Sequence, residues 1–170
     1  MILKTKRLLL RPLELSDLHT RYKYSGCKDT AKYMVYLPEH SINETREFLK
    51  YVSEEWTKKF PDFYEFAIVK DGVHIGEISI YPDKEEEEAE LGWILNKEYW
   101  NNGYVTEAAF EIIKFADRDL NIHKFTACCD TRNKASAKVM EKLEMIKKSE
   151  EIRFYRDERG IASQYLYEKF

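Results

Sequence analysis

Residues 89–129 constrain the fold of this chain more than any other stretch. They run from a short β-rich segment, AELGWIL, through a polar tip, NNG, into a helical stripe, and out into a second β-rich segment, KFTACC. The stripe is Ala108, Ala109, Ile112, Ile113, Ala116 and Leu120, spaced as one face of an amphipathic helix that starts near Thr106. Strand, helix and strand in that order form a crossover unit. Such a unit lays its two strands side by side in parallel, with a right-handed connection. Its helix must cover one face of the sheet, so the rest of the chain has to supply further strands and a cover for the other face.

The flanking sequence supplies both. RLLLRPL (7–13) reads as a strand that stops near Pro12. SDLHTRYKY is a short helix with Ser16 at its N-cap. In SINETREFLKYVSEEWTKKF, Ser41 and Glu44 have capping-box spacing, and Phe48, Leu49, Val52 and Trp56 fall on one face. YEFAIVK and HIGEISIY flank Asp71-Gly72, a hairpin signal, and the 82–88 loop returns the chain antiparallel into AELGWIL. A helix over 134–143 turns Ala135, Val139, Met140 and Leu143 inward, and SEEIRFY and SQYLYEKF close the chain as two strands. The expected fold is α/β (α+β): a mixed, mostly antiparallel sheet of about seven strands flanked by about four helices. Residues 1–170 are expected to form one domain.

Bulk chemistry narrows the function. Hydrophobic residues make up 44% of the chain, ample for one core. The net charge is −3, with no block of basic residues and no basic stripe interleaved with aromatics, which argues against nucleic-acid binding. No apolar run reaches membrane-spanning length. The acidic run Glu85 to Glu88 reads as a solvated hairpin tip. Cys27, Cys128 and Cys129 lack zinc spacing, and the four histidines, His19, His40, His74 and His123, have no metal spacing, so no metal is expected. Cys128 and Cys129 read as buried core thiols, since no histidine is placed to activate them. The opening MILKTKRLLLRPLE lacks a signal-peptide core, and a cytoplasmic protein, monomer or homodimer, is expected.

The polar tip has a chemical meaning of its own. The first N–H groups of an α-helix lack intrahelical partners, and the helix dipole makes that end partly positive. A phosphate can be held there without a lysine. Gly103 lets the backbone approach closely, Asn102 tolerates a left-handed turn, and Thr106 offers a hydroxyl as cap or phosphate donor. Glu107, in the first turn, opposes an anion unless its side chain points away.

Taken together, three segments resemble the GNAT N-acetyltransferases, in particular the RimJ/RimL-like branch. They are KTKRLLLRPLELSD, AELGWILNKEYWNNGYVTEA and NKASAKVMEKLEM. In that family a loop of the form Arg/Gln-x-x-Gly-x-Gly/Ala binds the coenzyme A pyrophosphate through backbone amides. The matching window here is Trp100-Asn101-Asn102-Gly103-Tyr104-Val105, with Trp100 and Val105 departing from the family's residues and Asn101 standing where many members have glycine. The resemblance places the pantetheine arm along Trp93, Ile94 and Leu95 by main-chain pairing, where a backbone N–H can also face the oxyanion. Asn133 and Ser136 match the family's Asn-x-x-Ser. Asn133 is implied near the cofactor arm, or acts simply as the N-cap, and Ser136 is implied near the thiol. Met140 stands where many relatives have a tyrosine acid, and Glu144-Met145 replaces Gly-Phe after the helix.

The implied reaction is acetyl transfer from acetyl-CoA, as co-substrate, to a primary amine, either a protein N-terminus or a small molecule, by direct attack in a ternary complex. An alkylamine must lose a proton before attacking, and Glu90 is the expected base, with Glu77 in reserve. If 82–88 is a simple hairpin, Glu77 faces Ile94. Ser136 is the expected donor to the thiol. Tyr33, Tyr36 and Phe63 are candidates to line the acceptor pocket. The alternative is a module of the same fold that binds an acyl-CoA without turnover, which Met140 favours.

Overall fold

The computed structural model describes residues 1–36, 38–83, 85, 87–155 and 157–170. Eight strands among them make one sheet: β1 (Leu3–Lys4), β2 (Leu9–Pro12), β3 (Tyr64–Lys70), β4 (Val73–Asp83), β5 (Glu88–Leu95), β6 (Lys124–Asp130), β7 (Ile146–Phe154) and β8 (Ile161–Lys169). Their order is β1-β2-β3-β4-β5-β6-β8-β7, and every neighbouring pair is antiparallel except β5 and β6. The helices are α1 (Leu18–Ser25), α2 (Lys28–Ala31), α3 (Ile42–Glu55), α4 (Tyr104–Phe115) and α5 (Lys134–Lys142). The mixed, mostly antiparallel sheet is the expected one. Two elements go beyond it: β1 and α2, of two and four residues, are too short for periodicity to reveal.

Local chemistry explains the boundaries. Asp71 and Gly72 take φ of 49° and 80°, the left-handed pair of a tight hairpin. Ser41 accepts from the Glu44 N–H at 3.3 Å, and Glu44 in turn accepts from the His40 N–H at 3.0 Å. α1 begins at Leu18 behind a 3₁₀ turn, so Asp17, not Ser16, occupies its N-cap. Asp17 is held there by two 2.7 Å hydrogen bonds from Arg11. α4 begins at Tyr104, two residues before the expected start. Lys84 and Glu86, in the 82–88 loop and the acidic run, and Leu37, in the 30–40 segment, lie outside the described residues.

Alternation along β5 divides the molecule. Ala89 and Leu91 join the main core with Ala108, Ile112 and Phe115 of α4. Ile94 packs on the opposite face against Tyr24 and Ala31 of the α1–α2 region. The crossover places β6 parallel to β5, but pairing covers only Glu88↔Lys124, Ala89↔Phe125 and Glu90↔Thr126. β6 then runs beside β8, and along Leu91–Leu95 the β6 side of β5 has no strand neighbour among the described residues. That divergence opens the sheet where the polar loop meets α4.

Candidate active site

A cleft of about 820 Å³ occupies the opening, a volume typical of small-molecule sites. Trp93, Ile94 and Leu95 form one wall, the loop ahead of α4 the floor, and α5 the other wall. Asn101, Gly103, Tyr104, Val105, Thr106, Asn133 and Ser136 also line it. Asn102 does not line the cleft. Its amide donates to the carbonyls of Tyr99 (3.2 Å) and Trp100 (2.9 Å), bracing the loop from within. Trp100 does similar work, donating its indole N–H to the Leu95 carbonyl at 2.7 Å. The family's polar residue is thus replaced here by a peg between loop and strand.

The loop geometry leaves donors free. Gly103 is the α4 N-cap at φ 75° and ψ 11°, and Asn101 takes φ 62°, a left-handed angle asparagine tolerates. The first bond into the helix runs from the Glu107 N–H to the Gly103 carbonyl at 3.0 Å. Among the described residues the N–H groups of Gly103, Tyr104, Val105 and Thr106 have no protein acceptor. Glu107 does point away. It accepts from the Thr5 hydroxyl (2.6 Å), the Arg7 N–H (2.8 Å) and Arg7 Nε (2.6 Å). Burial opposes its ionisation, but those bonds outweigh burial and hold its pKa below the ordinary glutamate value.

Gly103→Val tests this loop directly. A Cβ at Gly103 meets only Arg7 Nη2, at 3.7 Å, so the change does not overfill the fold. The left-handed angle costs a branched residue about 1–2 kcal/mol, and the new methyl groups stand where an anion must approach. We expect acetyl-CoA affinity to fall by about 10-fold or more, with a modest drop in melting temperature, measured by titration calorimetry and thermal unfolding.

At the start of α5, Asn133 is the N-cap and accepts from the Ser136 N–H at 3.2 Å. Ser136 Oγ accepts from Asn133 Nδ2 (3.0 Å) and from Trp93 Nε1 (3.2 Å). With both acceptor positions filled, its own hydroxyl proton is free to donate into the cleft. Met140 faces the core and is 1% exposed. The Glu144 departure is resolved by backbone geometry. Glu144 takes φ 61°, and the Met145 N–H bonds the Met140 carbonyl at 3.0 Å, so the chain ends α5 as a glycine would.

Sequence reasoning passed over the cations. Lys134, Lys138 and Lys142 recur every four residues along α5 and all line the cleft. Lys97 and Arg132 join them, but Lys97 pairs with Asp29 and Arg132 with Asp130. That i, i+4 spacing was the available signal. The cleft suits a ligand carrying several phosphates.

Glu90 does not line the cleft; it lies on the Ile94 face of β5, opposite Trp93 and Leu95, beside Tyr81 of β4 and Thr126 of β6. Its side chain reaches the surface, yet surrounding protein desolvates the carboxylate and raises its pKa, with Arg153 partly opposing the rise. Glu77 does pair with Ile94 in register. Its carboxylate is 5% exposed and taken up by Arg21 Nε (3.0 Å), Arg21 Nη2 (3.2 Å) and the Tyr24 hydroxyl (3.2 Å). Cys129 is buried, whereas Cys27 and Cys128 are only half-buried, a correction to the expected buried thiols. Burial first, and Glu90 next, push the Cys128 thiol up to about 12, which leaves it protonated and non-nucleophilic at neutral pH. Of the acceptor candidates, Tyr33 lines the cleft and Tyr36 is exposed. Phe63 is buried with Leu13, Leu49 and Val52, so its place is structural.

The fold, with two parallel strands splaying over a helix N-terminus, is that of an acetyltransferase. Residues 7–146 match the acetyltransferase (GNAT) domain family, and the chain belongs to it. It is 33% identical over 148 residues to the uncharacterized N-acetyltransferase YnaD of Bacillus subtilis, covering 85% of this chain and 82% of that one. The structure superimposes on a GNAT-family acetyltransferase from Bacillus anthracis with a TM-score of 0.84 at 27% identity, over 99% of this chain and 97% of the other. It also superimposes on RimL, a ribosomal L7/L12 alpha-N-protein acetyltransferase in complex with coenzyme A. That TM-score is 0.83 at 15% identity, over 100% of this chain and 98% of the other, a likeness of fold. No helix among the described residues is long and apolar enough to cross a membrane.

Proposed function

We propose that the protein moves an acetyl group from acetyl-CoA to a primary amine by direct attack in a ternary complex. The supporting observation is the row of N–H donors at Gly103–Thr106, unpartnered among the described residues, which opens onto a lysine-lined cleft beside a strand edge that no described strand pairs. The donors and lysines suit the diphosphate and the adenosine phosphate, and the free edge of β5 suits the pantetheine amides. The coenzyme A bound by the structural neighbour RimL agrees with this reading.

The thioester would then lie near the β5–β6 fork, with the amine arriving from the α1–α2 face. Glu90 takes the ammonium proton, directly or through water. The freed nitrogen attacks the carbonyl carbon, the oxyanion meets a β5 backbone N–H, and as the C–S bond breaks the nitrogen gives its second proton to solvent. Ser136 offers its hydroxyl to the departing sulfur, which leaves as a thiolate. Met140 rules out a tyrosine acid at that position, and a thiolate with an ordinary thiol pKa needs a hydrogen bond more than a full proton.

Acetyl-CoA is expected to raise the melting temperature, by an amount that shrinks as salt is added. Thiol release over a panel of amines and N-terminal peptides should then exceed the rate of acetyl-CoA hydrolysis. Stabilisation without thiol release on any amine identifies a binding module instead, and no stabilisation removes the cleft assignment altogether.

A further inference from the structure

β7 stands last in the sheet, so its outer edge pairs with no strand among the described residues. The free N–H and C=O groups of such an edge are a ready template for another strand, and natural sheets usually blunt them. The two halves of β7 differ in this respect. In the first half the register against β8 slips between Lys147 and Ser149, and Lys147 and Lys148 stand at the slip. A bulge with lysines is a common way of closing an edge to pairing. The second half, 149–154, runs against β8 in unbroken register.

That regular half is also bare. Ile152 is 66% exposed and Phe154 63%. Phe154 pairs in register with Ile161 of β8, which is 69% exposed. Ile152 lies two residues along β7 from Phe154, so the three share one face of the hairpin. It is the face on which Tyr167 of β8 joins the core with Ala137 and Met140 of α5. On the opposite face Glu151 and Arg153 stand two residues apart. None of these residues lines the cleft, so the surface is distinct from the proposed active site.

We infer that the 149–154 half of β7 pairs antiparallel with the same half of a second copy of this chain, about a two-fold axis at Ile152. The strand's own charge pattern selects both the occupant and the register. A two-fold pairing that brings same-face residues together is centred on one residue, which then meets its own copy. Centring on Glu150 or Glu151 sets carboxylate against carboxylate, and centring on Arg153 sets guanidinium against guanidinium. Centring on Ser149 runs the bulged half into the pairing, and centring on Phe154 runs past the end of β7. Ile152 alone avoids all of these. Glu151 then stands opposite the partner's Arg153, and symmetry repeats the pair on the other side of the axis. On the other face Ile152 meets its own copy, with Phe154 and Ile161 of both chains around it and Glu150 opposite the partner's Phe154 at the margin. The two sheets become one. A single strand pair with this patch is a small interface, so the dimer is expected to be reversible.

The test is sedimentation equilibrium of the full chain from about 1 μM to 1 mM, the range of a weak, small interface. The mass should climb with concentration from one chain to two and stop there. Ile152→Lys sets two ammonium groups on the axis and should raise the dissociation constant by about 100-fold. Ile161→Lys, beside the same patch, should weaken association too. Circular dichroism and the melting temperature confirm that each variant is folded. Glu151→Arg and Arg153→Glu should each weaken the dimer, and the two combined should restore it, an outcome that general damage to the hairpin does not produce. A single-chain mass at every concentration, growth beyond two chains, or a dimer that both lysine variants leave intact overturns the inference. Failure of the charge swap to restore association overturns the register and with it the assigned axis.

Discussion

Replacing Glu90 by glutamine is expected to lower kcat/KM for the amine by about 10²–10⁴-fold while acetyl-CoA still raises the melting temperature. The size follows from the work required. An alkylamine with a pKa near 10 is almost wholly protonated at neutral pH, and a positioned carboxylate removes that proton where the attack takes place. Glu90 suits the task because desolvation raises its pKa above the ordinary glutamate value while Arg153 limits the rise. The sign of the pH dependence follows. A base works only when ionised, so activity falls as pH drops through the raised Glu90 pKa. In Glu90→Gln that acid limb should vanish, leaving a rise of about tenfold per pH unit set by the free-amine fraction alone. Glu77 cannot take over, since Arg21 and Tyr24 already occupy its oxygens. A Glu90→Gln protein with full activity across the pH range would remove Glu90 from the mechanism.

The parts of this site that the sequence announces are those built from local chemistry. Gly103 punctuates the chain between an apolar strand and an apolar stripe, and it does cap α4. Asn133 and Ser136, three residues apart, bond each other as the spacing implies. Asp71-Gly72 joins β3 to β4, and the antiparallel return of β4 into β5 carries Glu77 to Ile94. What stayed hidden depends on residues far apart in the chain. Arg153 meets the electrostatic field of Glu90 only because β8 inserts between β6 and β7, an order that no local pattern encodes. Trp100 looked like a departure from its family and is a peg onto Leu95, a contact visible only once the loop is folded. β1 and α2 escaped because two and four residues span only about one period of their patterns, too little for a repeat to show.

The second large effect is on stability, and it concerns the wall behind the acceptor. Arg21→Met is expected to destabilise the protein by about 3–5 kcal/mol, measured by denaturant unfolding. Arg21 is 3% exposed and stands between two carboxylates. It binds Glu77 through Nε and Nη2 and Glu39 through Nη1. Its guanidinium also lies 3.9 Å from the centroid of Phe48 in α3. One side chain therefore ties α1 to β4, to the 38–40 segment and to α3. Removing it leaves two carboxylates with little solvent and no counter-charge, and that desolvation sets the size of the loss. One comparison separates this cause from lost packing. Arg21→Met combined with Glu77→Gln should recover part of the stability, because one uncompensated charge disappears with the other. A deficit that ignores Glu77→Gln would assign the effect to packing against Phe48. Because Glu77 sits opposite Ile94 at the cleft, the same variant should loosen acceptor binding more than acetyl-CoA binding, read as a larger rise in the KM for the amine.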